Sequence, residues 1–322
     1  MSVDPVAPYR LPNAGRDGVG RRRDGILERI VREDDQIVLL RAARPRATGP
    51  VVLGAWAPDV ALAERALARW RRTLGVDIDH RPFLDAAWHD PVLGPLVRRR
   101  PWLRPNVRYR PHEALLWAIT EQLIEFDEAV VIQKRLVRAA GVQCDRTGLR
   151  DAPTPAEVLR LAPAEIERMG LSARRTLLLR ETCRLLVRGL DLDAEDRVPA
   201  WRRLRSVPGL GSWTLSCLAL RGQGEPDASP SGDLGLLKSV GRLMHEGLVE
   251  LAPAPAMRAF DHSRPGEWAA RAAGVALPPE APPMLRRDRR GRPPLATEHQ
   301  VHELVSRFSP WRGYAAEHLF MA

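Results

Sequence analysis

The chain is nearly without lysine: all but two of its 50 basic residues are arginine, the exceptions being Lys134 and Lys238. Cysteine is scarce as well. Cys144, Cys183 and Cys217 are odd in number and widely spaced, with no C-x-x-C pair. That excludes a disulfide framework, a four-cysteine zinc site and a four-cysteine iron–sulfur cluster. Long apolar runs are missing. Runs such as Ile37 to Leu40 and Leu177 to Leu179 fall far below the roughly 18 residues a membrane span needs. The first 23 residues are polar and broken by Pro and Gly, with no apolar signal core. A cytoplasmic protein without a membrane partner is the expectation.

What is present suits a folded chain. Its 322 residues are material for about two domains of ~150 residues each. A hydrophobic content of 44% and a charged content of 28% match soluble globular proteins. The formal charge of +10 favours a polyanionic partner.

Along the chain, residues 1–24 form a Pro/Gly/Arg-rich stretch expected as a flexible leader. Asp35 to Ala43 and Val51 to Trp56 are rich in β-branched and apolar residues and predict two strands. Leu62, Ala66, Leu67, Trp70 and Leu74 recur at helical spacing between Asp59, a candidate N-cap, and Gly75, a stop. Residues 25–99 are therefore expected as a small N-terminal α+β domain. From Pro111 the pattern is helical. It covers His112 to Ala140, Ala173 to Leu190, Pro199 to Ser206, Ser212 to about Leu220, Asp233 to about Met244, and Glu298 to Phe308. Thr154-Pro155-Ala156-Glu157 and Pro163-Ala164-Glu165 open two further helices with Pro in the first turn and an acid behind it. Residues 100–322 are expected as one helical core. Within it, about 253–294 is a Pro/Arg-rich insertion carrying Arg286, Arg287, Arg289, Arg290 and Arg292, read as an extended loop.

The most informative run is Val207-Pro208-Gly209-Leu210-Gly211-Ser212-Trp213-Thr214, set between two short helices. Pro ends the first helix, and the glycines permit positive φ and close approach of another backbone. The second helix begins at Ser212, so its free N–H groups form a phosphate seat that is blind to base sequence. An ordinary helix–turn–helix corner would use the same residues. Asp233 follows 22 residues beyond Gly211, inside Gly232-Asp233-Leu234-Gly235-Leu236-Leu237-Lys238. Taken alone, Asp233 is an N-cap for the helix that buries Leu236, Leu237, Val240 and Leu243.

Hairpin, spacing and G-D-L-G-L-L-K together resemble the helix-hairpin-helix DNA glycosylase superfamily, and within it the 3-methyladenine DNA glycosylase II branch. The resemblance runs from about Arg98. It includes Trp102-Leu103-Arg104-Pro105, Leu116 to Leu123, Thr154-Pro155, Met169 to Arg175, and Pro310-Trp311-Arg312-Gly313-Tyr314-Ala315-Ala316. It implies a mainly α fold, with two helical subdomains flanking a cleft and a small N-terminal α+β domain.

For function, the resemblance implies a monofunctional glycosylase that flips an alkylated purine out of duplex DNA and hydrolyses its N-glycosidic bond. Asp233 is the implied catalytic carboxylate, stabilising the cationic sugar; a helix start suits a negative charge. Val207, Gly209, Leu210, Gly211, Ser212 and Thr214 are the implied DNA-binding hairpin. No cofactor is required, although a sodium or potassium ion on the carbonyls of Val207 and Leu210 is a family feature. Gln122 and Leu123 match the wedge that fills the vacated space, with core packing the plainer role for Leu123. Trp213, Cys217, Leu234 and Phe320 match pocket positions, with plain core packing open for Trp213. Bifunctional relatives place a Schiff-base lysine just after the hairpin glycines, where this chain has Trp213. Cys217 and Leu234 stand where one bacterial branch has tyrosines, Glu121 where a small residue is common, and Leu215 where Ala is usual. The partner implied is damaged double-stranded DNA, bound by a monomer in the bacterial cytoplasm at the nucleoid. The alternative is a non-catalytic DNA-damage binding protein that keeps hairpin and wedge. Arg104, Arg174, Arg175 and Arg312 are structural, phosphate-contacting or simply solvated.

Overall fold

Two tight turns organise the amino-terminal sheet in the computed structural model, which describes residues 1–252 and 295–322. The Pro/Arg-rich stretch read as an insertion lies outside the described residues. Strands β1 (Ser2–Val3), β2 (Gly20–Arg23), β3 (Ile26–Glu33), β4 (Gln36–Ala43) and β5 (Val51–Trp56) form one antiparallel sheet in the order β1-β5-β4-β3-β2. Asp24-Gly25 joins β2 to β3, and Asp34-Asp35 joins β3 to β4. All four turn residues have positive φ, as two-residue hairpins require to match the twist of their strands.

Residues 1–24, expected to be flexible, are instead built into the sheet. They supply both outer strands and bury Val3, Tyr9, Leu11 and Val19. Asp17 pins them further: it is buried, accepts from Trp117 Nε1 at 2.8 Å and from Val19 N at 3.1 Å, and pairs with Arg108. Burial alone would raise its pKa, but the Arg108 guanidinium and these donors hold the carboxyl below its ordinary value.

Helix α1 (Val60–Leu74) starts at Asp59, whose side chain accepts from Leu62 N, and stops at Gly75 in the left-handed region. Its buried residues Leu62, Ala66, Trp70 and Leu74 share a core with Val38, Leu40, Ala42, Val51 and Leu53. Val38, Leu40 and Ala42 on β4, and Val51 and Leu53 on β5, are buried at every second position, the period-2 pattern of a sheet with one covered face.

The chain divides into two compact units, but not at the expected boundary near residue 100. The first is Met1–Asp79 with Asn106–Val207, the second His80–Pro105 with Pro208–Ala322. Helices α2 (Arg81–Ala87) and α3 (Leu93–Arg99) belong to the second. The first unit adds α4 (Pro111–Glu121), α5 (Phe126–Ala140), α6 (Pro155–Arg160), α7 (Pro163–Arg168), α8 (Ala173–Val187) and α9 (Val198–Arg205). The sheet joins these helices through Arg29 on β3. Its buried guanidinium reaches Glu113 on α4 and Asp151, each at 3.1 Å. Thr154 and Glu157 close a capping box on α6. The helical run expected from His112 to Ala140 is two helices, interrupted at Gln122 to Glu125.

The second unit contains α10 (Ser212–Cys217), a wider π-helical turn (Leu218–Gly222), α11 (Leu234–His245), α12 (Glu298–Ser306) and α13 (Arg312–Leu319). Arg312 grips Asp227 through Nη2 at 2.6 Å and Nε at 2.9 Å, so this motif arginine is a structural clamp. Phe83 packs against Phe308, Tyr314 and His318. Burial, with His80 nearby, pushes the His318 pKa from 6.5 down to about 4. The unfolded chain therefore binds a proton that the folded state excludes between those values, and stability falls as pH drops from about 6.5 to 4. His318→Gln is expected to remove up to about 3 kcal/mol of that pH dependence, read from urea midpoints across this range. Among the described residues, no helix is long and apolar enough to cross a membrane.

Candidate active site

The hairpin is built as its residues dictate. Helix α9 ends at Arg205, the turn runs through Pro208-Gly209-Leu210, and Gly211 caps α10. Leu204 and Val207 before the turn, and Leu210 and Leu218 after it, are buried. Gly209 has φ +100°, a conformation that favours glycine. Gly211 is different. Its φ of −82° suits any residue, and a Cβ there would meet no atom within 4 Å. The fold itself therefore makes no demand for glycine at 211. Ser212 is half-buried, whereas the Thr214 side chain is buried.

Asp233 caps α11 with Oδ1 accepting from Gly235 N at 2.8 Å. Its other oxygen, Oδ2, accepts from Trp213 Nε1 at 3.0 Å. The first turn of α10 and the start of α11 are thereby joined through one carboxylate. Both oxygens are oriented, and Asp233 and Trp213 are each half-buried. Plain core packing for Trp213 is replaced by this polar bond at a partly open position. Phe320, at the end of α13, closes on the same place: a Cβ added to Gly235 would lie 3.0 Å from its ring. Leu234 is 39% exposed beside Asp233, while Cys217 turns into the interior.

One contributor escaped sequence reasoning. Arg221, on the π-helical turn, lies 5.6 Å from the Phe320 ring centroid and pairs with Glu317 at 3.0 Å. No spacing rule marks such a turn in sequence, so Arg221 could be found only from the fold.

In the first unit, Gln122 and Leu123 occupy the break between α4 and α5. Gln122 is half-buried. Leu123 is 99% exposed with φ +57°, which removes core packing as its role. Phe126 nearby is also exposed and carries the Arg16 guanidinium over its ring. Lys134 is exposed on α5, and Lys238 lies on α11 five residues past Asp233. Among the described residues, no cluster of His, Cys, Asp and Glu could hold a metal ion.

No protein-family model matches the chain. It is 33% identical over 174 residues to a probable bifunctional transcriptional activator/DNA repair enzyme AlkA of Mycobacterium tuberculosis, covering 53% of this chain and 35% of that protein. It is 26% identical over 192 residues to a DNA-3-methyladenine glycosylase of Bacillus subtilis, covering 55% and 63%. The chain thus spans about a third of the first relative and under two thirds of the second. Its fold matches that of a 3-methyladenine DNA glycosylase from Archaeoglobus fulgidus with TM-score 0.71 and 16% identity, over 100% of this chain and 97% of the other. An 8-oxoguanine glycosylase/lyase from Clostridium acetobutylicum, solved with double-stranded DNA, matches with TM-score 0.60 and 14% identity over 99% and 95%. Over about half its length the chain is thus similar in sequence to DNA-3-methyladenine glycosylases, and over all of it the fold is the one that the helix-hairpin-helix DNA glycosylases share.

Proposed function

We propose that the chain is a monofunctional DNA glycosylase that extrudes an alkylated purine from duplex DNA and hydrolyses its N-glycosidic bond. The observation that carries this reading is the Trp213–Asp233 hydrogen bond, which sets a half-open carboxylate beside the hairpin's second helix. When the bond from C1′ to the base nitrogen breaks, its electron pair leaves with the base and the sugar becomes cationic. The Asp233 carboxylate stabilises that charge. Gly235 N and Trp213 Nε1 each occupy one of its oxygens, and each oxygen retains a second lone pair to face the sugar or the attacking water. Water adds to C1′ and releases a proton. A cationic N3- or N7-alkylpurine departs as a neutral base, so no general acid is required.

The same aromatics give a basis for choosing cationic bases, since a ring face attracts positive charge. Arg221 already lies over Phe320, so most of that attraction falls to Trp213. Phosphates of the duplex would be held by the N–H groups at the start of α10. Gly211, which internal packing does not need, leaves room for a close DNA backbone. The hard carbonyl oxygens of Val207 and Leu210 are suited to a sodium or potassium ion, which would add positive charge facing a phosphate. The reading takes Gln122 and Leu123 as the wedge, the protein as a monomer, and its place as the cytoplasm, at the DNA.

The absence of a lyase step rests on Trp213 standing where a Schiff-base lysine would be needed. Duplexes carrying single defined lesions, assayed for free base, test the function. Release of N3- or N7-methylpurine without strand nicking, and with no borohydride-trapped complex, is expected. Trapping through Lys134 or Lys238 would refute the monofunctional assignment, and absence of any release would leave the non-catalytic damage binder.

A further inference from the structure

Leu123 combines full exposure with a backbone conformation that side chains with a Cβ adopt only at a cost. Such a residue persists where its surroundings over-determine it. The surroundings here are specific. Helix α4 ends at Glu121, and the last carbonyls of a helix lack donors of their own. Arg175 supplies one. Its Nη1 donates to Thr120 O at 3.1 Å and to Gln122 O at 3.0 Å, the carbonyl immediately before Leu123. The guanidinium is tethered in turn: Nε donates to Ser172 Oγ at 3.3 Å, and Ser172 is the N-cap of α8. Gln133 on α5 adds a second strut, donating through Nε2 to Thr120 Oγ1 at 3.1 Å and Glu121 Oε1 at 2.9 Å.

We propose that Arg175 is a positioning residue that holds Leu123 projecting as a preformed wedge, so that little ordering remains when the side chain enters the duplex. The proposal rests on the base-extrusion reading above. Its physical content is pre-organisation: a side chain already immobilised in its working geometry avoids an entropic cost on binding. A phosphate contact by Arg175 would act instead through charge alone and would be independent of Leu123.

Two measurements on the full chain decide it. The first is amide hydrogen exchange across residues 121–126 without DNA. The second is single-turnover base release from duplexes with the same lesion either paired or opposite an abasic gap, where extrusion costs less. Arg175→Ala is expected to speed exchange and to slow release from the paired lesion by about tenfold, with a smaller effect opposite the gap. Leu123→Ala should match it on paired DNA, and the double variant should be no slower than Leu123→Ala alone. Arg175→Lys, which keeps the charge but loses the planar fork, should fall between and serves if the alanine variant misfolds. Unchanged exchange, or losses that multiply in the double variant, would overturn the proposal. If no form releases base, wild type included, the enzymatic reading fails, and the exchange data alone still decide whether Arg175 braces the loop.

Discussion

Asp233→Asn is expected to slow release of free base from a lesion-bearing duplex by about 10²–10⁴-fold, while affinity for the same DNA changes little. The substitution is nearly isosteric and removes the negative charge that would face the cationic sugar. Asn caps helices about as well as Asp, so the start of α11 should survive. The local cost is defined. Gly235 N and Trp213 Nε1 each donate to a different carboxylate oxygen, and an amide has only one oxygen to offer. One of the two donors then faces an NH₂ group, a loss of about 1 kcal/mol that a thermal melt can separate from the catalytic effect. Undiminished release with DNA binding intact would take Asp233 out of the chemistry. No release from either form, with lesion binding retained, would favour the damage-binding alternative.

Arg29→Met should produce the largest loss of stability, about 3–5 kcal/mol in the first unit. For a unit of this size that is roughly a 10 °C fall in melting temperature. Glu113 and Asp151 are buried, and Arg29 lies between them. Burial raises the Asp151 pKa even with Arg29 present, and the same two carboxylates raise the pKa of Arg29 despite its own burial. Without the guanidinium, two negative charges are left desolvated and mutually repelling. They can be neutralised only by taking up protons, so the penalty should be larger at pH 8 than at pH 5. Adding Glu113→Gln and Asp151→Asn should recover part of the loss, because the uncompensated charge is gone. Denaturant titrations at the two pH values measure this, and a loss below about 1 kcal/mol would show the triad to be energetically idle.

Several elements were legible because local residues dictate them. Asp59 and Gly75 bracket α1 with a side-chain cap and a left-handed stop. Thr154 with Glu157 marks a helix start in the same way. The hairpin carried its own turn chemistry. What was missed has a physical reason too. Strand β2 is Gly-Arg-Arg-Arg and β3 carries Glu28 and Arg29, so neither alternates as a half-buried strand should. Their signal lay in the turns: Asp24-Gly25 is a strong two-residue hairpin pair, and Asp34-Asp35 a weaker one. These turns mark the β2–β3 and β3–β4 hairpins, whereas β1 pairs with the distant β5 and carries no such signal.

The candidate site divides along the same line. Asp233 as a helix cap and Gly209 as a positive-φ turn residue follow from their immediate neighbours, and each could be named without coordinates. That the indole of Trp213 meets this carboxylate, that Arg175 reaches the carbonyls beside Leu123, and that Arg29 on its strand draws two distant acids together depend on elements packed from far apart in the chain. Caps and turns are settled within a few residues, where the backbone's own donors and acceptors leave little choice. Long side chains choose their partners only after apolar burial has brought the elements together, and nothing in the local sequence encodes that meeting.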